Sequence, residues 1–574
     1  MWRKEARQER DKWFPECWYN MAFCQPYMIS KTSDGDLMSL HVCSRVTGLL
    51  LLCFIMSSCG DVYRPTIIPN PVPFPDPQNF HAAFTANVNG ASNLGSTMQV
   101  NVSGDTNAGV TNLGIAPVHL AIQAGGTSAG SRVWAANPGS DSVSVFTGAT
   151  SAGSIGKAST VNLPVGSAPA FVASSESGTE YVANAGAGTV MAIGTITTAI
   201  TATIPVGQTP WAMAETPDGH KLYVANRDDN TLTSVNTVDK SVARTIPLTG
   251  SPQWVVARSD SKRIYVVAAD GSLTTVNSEF SSAQQDTVVS TTPLGASAKF
   301  MYYDRIRNRL YIPFPSTSQA AIYDVSADPP SLMTTINLTA APAGGGSSAC
   351  PPSGCIPTSA AALVDGSRAY VASYFVDSNP TDCTQMLSQP PLPCIATQVT
   401  VINALNNTVT KSIGLPLVPA STSANCPSAR FRISMAASGD GSKVYVANCD
   451  GGAVSIINTS NDSFILNLPT PASLFPTALA SVTSAVQSGA STTYTYTLTS
   501  GTPLWVGMTI SVSGIQNPGD TAVNPDNGIF VVTSLGAGTF TVNNPAGVST
   551  TAAQAATAVG QPPAQNPVFI VAGP

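Results

Sequence analysis

The sequence predicts an all-β protein assembled from repeated antiparallel sheets, and three observations carry that prediction. A strand signature of one aromatic residue followed by Ala/Val and Asn recurs, most clearly at Trp134–Asn137, Tyr181–Asn184, Tyr223–Asn226 and Tyr445–Asn448. Weaker copies begin at Tyr265, Tyr311 and Tyr370, so that successive aromatic residues are 47, 42, 42, 46, 59 and 75 positions apart. The intervening segments alternate apolar and polar residues between Gly, Pro and Asn turns, as strands do. A repeat of this length made only of strands is typical of a β-propeller.

Each repeat unit contains the elements of a four-stranded blade. In the best-preserved unit these follow in order: a turn at Gly207–Pro210, an apolar strand at Trp211–Ala214, a hairpin turn at Pro217–Gly219, the signature strand, a polar turn at Arg227–Asn230, a third strand at Thr231–Val235 and a fourth ending at Ile246–Leu248. Asp-Gly is a strong hairpin signal. Because Asn bonds well to nearby backbone and Tyr fills space between blades, we interpret both signature residues as structural.

Seven complete units extend from Pro117 to about Pro469, and an eighth is predicted to begin at Pro476–Ala480. Its signature copy is expected near the C-terminus, around Phe569. No sequence follows that copy to supply the outer strands of its blade.

The N-terminal part of the body offers the missing strands at Thr97–Val102 and Val110–Ile115. Pairing first and last strands in one blade closes a ring and removes exposed sheet edges. We therefore predict a β-propeller of eight blades with N/C-terminal closure, formed by residues 81–480 and the closing strand 567–574. Seven blades is the alternative, because Phe84–Val88 is a further candidate strand.

Residues 481–566 are predicted to form a small β-sandwich or barrel inserted before the closing strand. Strand-like segments such as Tyr494–Leu498 and Thr539–Val542 alternate there with Gly-rich turns, and the region has no Lys, Arg, His or Cys. Its aromatic residues Tyr494, Tyr496 and Trp505 are candidates for glycan or protein contact or for core packing.

The N-terminal region predicts export. Residues 1–37 mix charge and aromatic residues without an apolar core and are interpreted as a mis-assigned extension, whereas residues 38–58 contain the apolar run Val46–Met56 expected of a signal peptide. Small residues before Cys59 resemble a bacterial lipoprotein signal, which implies lipidation of Cys59. Residues 59–80 are rich in Pro and are predicted to form an extended tether.

Six cysteines in the body predict a disulfide framework, since the chain is expected in an oxidising compartment. Fifteen pairings are possible in principle. Local pairing is favoured, as Cys350–Cys355, Cys383–Cys394 and Cys426–Cys449, because these residues flank long insertions. No pair has the two-residue spacing of zinc knuckles, so no metal site is predicted from them.

Composition narrows the classes of function. Charged residues make up 10% of the 574 residues, the net charge is −6 and no Lys or Arg follows Lys443. Nucleic-acid binding requires clustered cations, so we exclude it. Catalytic motifs and phosphate loops are absent from the sequence, and we assign no catalytic residue and no cofactor. The Asp-rich turn Asp228–Asn230 is only a weak candidate for Ca²⁺, because its spacing matches no known loop.

The signature strands resemble the YVTN-type β-propeller repeat family of bacterial and archaeal surface proteins. The resemblance covers Pro117 to Pro471. It implies a propeller fold and export, frequently with a lipoprotein signal, and it implies no activity because the family shares no catalytic motif. Pro313 and the insertion at Pro342–Ala360 depart most from the pattern.

Function is expected where residues vary around the repeat, at the mouth of the central channel. By the register of the repeat, the candidate binding residues there are His119, Phe171, Trp211, Gln253, Trp254, Lys299 and Arg432. Such a set suits a small anionic or sugar-like ligand, or else plugs the channel.

Two functions remain open at this point. One is an exported, lipid-anchored scaffold in the bacterial cell envelope that binds protein, envelope polymer or glycan. The other is a propeller hydrolase of lactonase type with an active site in the channel, although the channel positions hold few carboxylates for such chemistry.

Overall fold

The computed structural model describes residues 82–573 except 91–92, 102–103, 124–131, 150–154, 176–177, 343–349, 378–392, 421–424, 471–477, 499–508, 517–523, 551–555 and 562–564. The predicted extension, signal peptide, lipidation site at Cys59 and tether lie outside the described residues. The described part is all-β, as predicted, with one short 3-10 helix at Pro138–Ser140 and one α-helix, α1, at Asn425–Ser428. None of its helices has the length and apolar character required to cross a bilayer.

Eight antiparallel sheets with four strands in a row account for most of the described residues. Sheet 1 contains β1 (Ala82–Val88), β2 (Leu94–Asn101), β3 (Thr106–Ile115) and the last strand, β39 (Asn566–Ala572). Sheet 2 contains β4 (His119–Ile122), β5 (Arg132–Asn137), β6 (Ser142–Thr147) and β7 (Ser159–Asn162). Sheet 3 contains β8 (Pro169–Ser174), β9 (Thr179–Asn184), β10 (Thr189–Gly194) and β11 (Ile200–Pro205). Sheet 4 contains β12 (Pro210–Glu215), β13 (Lys221–Asn226), β14 (Thr231–Asn236) and β15 (Val242–Pro247).

The remaining four sheets follow in chain order. Sheet 5 contains β16 (Pro252–Ala257), β17 (Arg263–Ala268), β18 (Ser272–Asn277) and β19 (Thr287–Pro293). Sheet 6 contains β20 (Tyr302–Asp304), β21 (Arg309–Phe314), β22 (Gln319–Asp324) and β23 (Ser331–Asn337). Sheet 7 contains β24 (Ile356–Ala362), β25 (Arg368–Asp377), β26 (Cys394–Asn403), β27 (Thr408–Gly414) and the short β28 (Val418–Pro419), which pairs with β26. Sheet 8 contains β29 (Ile433–Ala437), β30 (Lys443–Asn448), β31 (Ala453–Asn458) and β32 (Ser463–Pro469).

At seven of the eight junctions the first strands of successive sheets lie against one another. Contacts join β4 to β8, β8 to β12, β12 to β16, β20 to β24, β24 to β29, β29 to β39 and β39 to β4. In sheets 2 to 8 the strands pair in sequence order, with the signature segment as second strand. Each sheet therefore has the strand arrangement of a propeller blade.

Sheet 1 corrects the prediction for the last repeat. Its second strand is β1, where Phe84-Thr85-Ala86-Asn87 is the eighth copy of the signature, and β39 pairs with β1 as first strand. The placement of that copy at Phe569 was therefore wrong, and the N-terminal region supplies three strands instead of two. Pro476–Ala480 does not begin a blade either, since the first barrel strand starts at Ala478. Apolar alternation alone did not distinguish a first strand from a second one.

A closed six-stranded barrel lies between β32 and β39 along the chain. Its strands are β33 (Ala478–Ser488), β34 (Ser491–Leu498), β35 (Thr509–Ser513), β36 (Gly528–Gly536), β37 (Thr539–Asn543) and β38 (Ala556–Gln561). Tyr494 is fully buried in its core and stacks on Phe540 with ring centroids 4.8 Å apart. Tyr494 is therefore a packing residue, and Tyr496 packs against the same core, whereas Trp505 lies outside the described residues.

Four signature Asn residues, at positions 87, 137, 184 and 226, bond to the third strand of their own sheet. Asn448 instead donates to the Thr397 hydroxyl of sheet 7, at 3.2 Å. Asn226 donates from Nδ2 to the hydroxyls of Thr231 and Thr233, at 3.0 and 2.8 Å. Asn87 makes the same kind of bond to the Ser96 hydroxyl, at 3.1 Å. The residue is structural, as expected, but it stabilises a strand pair more than a turn.

The signature Tyr residues take part in contacts between sheets. Tyr223 of sheet 4 donates to Asp286 Oδ1 of sheet 5 at 2.6 Å, while Lys221 Nζ lies 3.0 Å from Oδ2 of the same carboxylate. Asp286 occupies the turn before β19 with a left-handed φ of 61°. We call this arrangement an inter-sheet clasp: a cation two residues before the aromatic residue, the aromatic hydroxyl, and a polar side chain from the next sheet.

The clasp recurs around the molecule. Between sheets 7 and 8, Asp462 receives Tyr370 OH at 2.7 Å and Arg368 Nη1 at 2.6 Å. Between sheets 8 and 1, Lys443 Nζ lies 2.8 Å from Asp105 Oδ2. At this last junction the Tyr445 hydroxyl has no hydrogen-bond partner among the described residues, so only the ion pair of the clasp is present.

Candidate functional site

The first strands carry a cluster of stacked rings where they converge. His119 of β4 stacks on Phe171 of β8, with centroids 3.8 Å apart and planes at 24°. The ring of Phe569 from β39 lies 4.4 Å from His119 on centroids. The edge of Trp254 from β16 meets Phe171 at 5.6 Å. Four sheets therefore contribute to one continuous aromatic contact.

Two further rings extend the cluster, which we call the aromatic cluster. Phe300, in the turn before β20, lies 4.9 Å from Trp254, and Phe431, just before β29, lies 5.7 Å from Trp254. Phe431 also contacts Phe569 at 5.9 Å, which completes the circuit. Six of the eight sheets thus contribute a ring, and tilted and edge-on contacts of this kind are favourable beyond their buried area.

The guanidinium of Arg430 lies among these rings. Its Cζ is 4.7 Å from the Trp211 ring centroid, 4.8 Å from Trp254 and 5.6 Å from Phe431. Nη1 donates to the Trp211 carbonyl and Nη2 to the Gln253 carbonyl, each at 2.8 Å. Within the described residues Arg430 has no ion pair, and its buried Nε has no hydrogen-bond partner.

A recurring β-bulge explains why two carbonyls are free to accept from Arg430. In β12 the pairing with β13 passes from Pro210 directly to Ala212, and in β16 the pairing passes from Pro252 to Trp254. Trp211 and Gln253 are the residues omitted from the ladder. A bulged residue is unpaired and its side chain is redirected, so these backbone oxygens and the Trp211 ring become available at the same place.

Burial and like charge shift the protonation of the site. Loss of hydration, followed by repulsion from Arg227, lowers the pKa of Arg430 to about 9. Burial, followed by the charge of Arg430, lowers the pKa of His119 well below its ordinary value. His119 is therefore neutral at pH 7, and its Nδ1 accepts a long 3.4 Å bond from the Val172 backbone N–H.

Arg227 places a second cation on the same indole. Its Cζ lies 4.4 Å from the Trp211 ring centroid. Its Nε donates to Asp228 Oδ1 at 2.9 Å, and that carboxylate also accepts from the Thr209 hydroxyl. Both arginines and Trp211 keep part of their surface accessible to solvent.

Of the seven predicted channel residues, the structure brings four side chains together and separates two, while Gln253 takes part through its backbone carbonyl, which accepts from Arg430. His119, Phe171 and Trp254 belong to the aromatic cluster, and Trp211 contacts it through Arg430. Lys299 is exposed, because β20 begins only at Tyr302 and its predicted strand position falls in a turn. Arg432 pairs with buried Asp450, at 2.6 and 2.8 Å, and lies over Tyr374; its role is to hold sheets 7 and 8.

Sequence reasoning missed Arg430, Phe300 and Phe431 and misread Phe569. The four lie in loops or bulged segments where the count from the signature residue fails. A search for an aromatic residue just before or within each first strand would have found three of them.

A cavity of ≈ 400 Å³ adjoins the aromatic cluster. Trp254 and Phe300 belong to its lining, together with Glu215, Tyr302 and Tyr303. It lies beside β16 and β20, and β20 has three residues where β12 and β16 have six. Ser175 Oγ donates to Glu215 Oε1 at 2.7 Å, which fixes the carboxylate on its wall.

The cysteines pair as two of the three local predictions require. Disulfides join Cys350 to Cys355 and Cys426 to Cys449. Cys394 is disulfide-bonded too, and its predicted partner Cys383 lies outside the described residues. Disulfides are typical of proteins in oxidising, extracytoplasmic compartments.

The Asp-rich turn holds its neighbouring loop. Asp228 accepts from the Thr209 hydroxyl at 2.6 Å, and Asp229 accepts from the Gln208 backbone N–H at 2.5 Å. Among the described residues, no group of three or more His, Cys, Asp or Glu side chains is arranged to hold a metal ion.

Comparisons with known proteins do not place the chain in a family. No family model and no curated protein matches it, so the resemblance to the YVTN-type family stays a prediction. Solved structures that resemble it include hydrazine synthase from Kuenenia stuttgartiensis, with 15% identity, 55% of this chain and 89% of that chain covered, and a TM-score of 0.39.

Two other structures resemble the chain to the same degree. A functionally unknown protein from Desulfotomaculum acetoxidans has 12% identity, covering 67% of this chain and 95% of that one, with a TM-score of 0.40. A chain of the mitotic checkpoint complex has 13% identity, covering 56% and 82%, with a TM-score of 0.40. Similarities at this level say nothing about what the present chain binds or catalyses.

Proposed function

We propose that the eight sheets are the blades of one closed propeller. The support is threefold: first strands contact at seven of the eight junctions between successive sheets, β39 pairs with β1 from Ala83 to Val88 within sheet 1, and Lys443 reaches Asp105 between sheets 8 and 1. Closing a ring with strands from both termini leaves no free sheet edge at that junction. A propeller of eight blades includes β1 as a blade strand, whereas one of seven blades would leave β1 outside every blade.

We propose that this propeller is an exported, lipid-anchored scaffold of the bacterial cell envelope, which binds protein, envelope polymer or glycan without turnover. The apolar run before Cys59 and the Pro-rich segment after it support the anchor and its tether. Disulfides at Cys350–Cys355 and Cys426–Cys449 support an extracytoplasmic location.

The packing at the centre is the observation that carries the binding function. His119 is stacked between Phe171 and Phe569, at 3.8 and 4.4 Å, and is kept neutral by burial and by Arg430. A general base must reach its substrate, whereas this His is buried among rings. The accessible side chains there, Trp211 and Arg227, are suited to contact and not to proton transfer.

Two measurements test the proposal. Cells that express the full chain are labelled with a radioactive fatty acid, and label is expected on the wild type and not on Cys59→Ser. Purified full chain in detergent is then co-sedimented with isolated envelope polymer, and the supernatant is analysed by mass spectrometry for cleavage products. Retention without new products supports a scaffold, while release of products refutes it.

The cavity favours one second candidate, a propeller hydrolase of lactonase type. Glu215 is a fixed carboxylate on an aromatic-walled space of ≈ 400 Å³, which is large enough for a small ester or lactone. Hydrolysis of a panel of lactones that is lost in Glu215→Gln, with the fold retained, would establish this candidate in place of the scaffold.

A further inference from the structure

We propose that the surface formed by Arg227, Trp211 and Arg430 is a binding site for an anionic group, a carboxylate or a phosphate. We call it the anion site. The inference rests on the proposed binding function and names the chemical class of the ligand, which the fold alone does not give.

Two guanidinium groups contact one indole ring, and that arrangement is unfavourable on its own. Arg227 and Arg430 lie 4.4 and 4.7 Å from the Trp211 centroid, and their repulsion contributes to the lowered pKa of Arg430. Guanidinium groups bind carboxylates and phosphates through paired, charge-assisted hydrogen bonds. An anion placed against Arg430 would offset this repulsion.

The carboxylate near the site, that of Asp228, is already paired with Arg227. Asp228 accepts from Arg227 at 2.9 Å and from Thr209 at 2.6 Å. Within the described residues, no ion pair reaches Arg430. A cation among apolar rings without a counter-charge is costly to bury, so a ligand that supplies the charge gains binding free energy.

The protein holds Arg430 in position before any ligand arrives. The bulge carbonyls of Trp211 and Gln253 take one N–H from each of its terminal nitrogens, and the rings of Trp254 and Phe431 restrict its plane. Each terminal nitrogen has a second N–H, and the side chain is partly accessible. A preorganised donor in weakly hydrated surroundings binds an anion more strongly than a surface arginine does.

Equilibrium dialysis of the purified full chain tests the inference, with inorganic phosphate and glucuronate as separate probes and glucose as the neutral comparison. Arg430→Gln removes the charge, and Arg430→Lys keeps it. Arg244→Gln is the matched control, because Arg244 is exposed on β15, away from the first strands. Circular dichroism melts show whether each variant is folded. If Arg430→Gln does not fold, the anion affinity of Arg227→Gln tests the inference in its place.

We expect binding of one or both anions with an affinity weakened about 10- to 100-fold in Arg430→Gln, unchanged in Arg244→Gln and partly kept in Arg430→Lys. The preferred probe separates a carboxylate ligand from a phosphate ligand. No anion binding by the wild type up to about 10 mM, or equal binding by wild type, Arg430→Gln and Arg227→Gln, would overturn the inference. Co-sedimentation with envelope polymer despite that result would leave the scaffold proposal standing, and anion binding without co-sedimentation would refute the scaffold alone.

Discussion

Two regions of the molecule surround a cation in opposite ways. At the junction of sheets 4 and 5, the Lys221 side chain is 6% exposed and its charge is matched by Asp286, which also receives Tyr223. At the convergence of the first strands, Arg430 has carbonyls and rings around it and no carboxylate among the described residues. A buried charge without a partner is costly. Lys221 has its carboxylate partner within the protein and stabilises the junction, whereas Arg430 keeps a charge that the proposed anionic ligand would pair with.

The clasp gives the largest expected effect. Asp286→Ala leaves the buried Lys221 ammonium without its partner and removes the acceptor of the Tyr223 hydroxyl. We therefore expect the free energy of unfolding, measured in urea, to be about 3–5 kcal/mol lower than in the wild type. Asp239→Ala is the control: Asp239 lies in an exposed turn of sheet 4 and accepts only from Ser241 among the described hydrogen bonds. A loss below about 1 kcal/mol for Asp286→Ala would show that the clasp does not stabilise the junction.

The disulfide near Arg430 gives the next effect. Cys426 and Cys449 are 23 residues apart, and Cys426 lies in α1, just before Arg430. Replacing both by Ala should cost about 3 kcal/mol of unfolding free energy, against about 2 kcal/mol for the shorter loop of Cys350–Cys355, because the longer loop gains more entropy in the unfolded chain. Thermal melts of the two double variants compare the losses directly, and an equal or reversed order would contradict the loop-length explanation.

Glu180 is a buried carboxyl at a position that is apolar in the other second strands. None of the described ion pairs includes it, so Glu180 shows how a buried carboxyl behaves without a cation beside it. Burial, with the charge of Glu215 acting in the same direction and the Ser174 hydroxyl opposing, raises the pKa of Glu180 well above its ordinary value. The unfolded chain releases this proton above about pH 4.5 while the folded chain retains it, so stability falls as pH rises through that range.

Glu180→Gln removes the proton requirement and should therefore stabilise the protein at pH 7 by about 1–2 kcal/mol. Urea unfolding at pH 4 and pH 7 is the measurement, and the gain should shrink at pH 4. Glu279→Gln, at an exposed ion pair with Lys262, is the control. A destabilised Glu180→Gln at pH 7 would mean that the carboxyl is ionised and paired in the fold.

His119 gives the smallest effect. Because its folded pKa lies below that of the unfolded chain, its contribution is fully present above about pH 6.5 and is lost as pH falls toward the folded value, with a slope of at most about 1.4 kcal/mol per pH unit. His119→Phe keeps the stacked ring and should flatten the loss of stability between pH 6.5 and 5. Identical slopes for His119→Phe and the wild type would show that His119 takes up a proton in the fold.

Much of the fold follows from the sequence because the signature strands are local and regular. The copies at Tyr181, Tyr223 and Tyr445 all lie in second strands, and the segment around Tyr494 lies in the barrel. The copy at Phe84 carries the same pattern, but the sequence predicts it only as a further candidate strand, because its partner β39 lies at the opposite end of the chain. Local patterning does not specify which of two distant strands pair.

The site was less accessible to sequence reasoning for a related reason. Counting from the signature pointed to Arg432, which pairs with Asp450, whereas Arg430 depends on bulges in β12 and β16 that shift the register by one residue. The clasps had a readable signal, a Lys or Arg two positions before the aromatic residue at Lys221, Arg368 and Lys443. Their acidic partners belong to the next sheet, so only the three-dimensional arrangement reveals them.

The placement of β39 has a consequence for biosynthesis. Sheet 1 is completed by residues 566–572, which leave the ribosome after the whole barrel has been made. Until then β1 keeps one edge unpaired, and an unpaired edge invites pairing with other chains. A chain that stops within the barrel therefore keeps this edge of β1 open, so pairing with β39 distinguishes complete copies from incomplete ones.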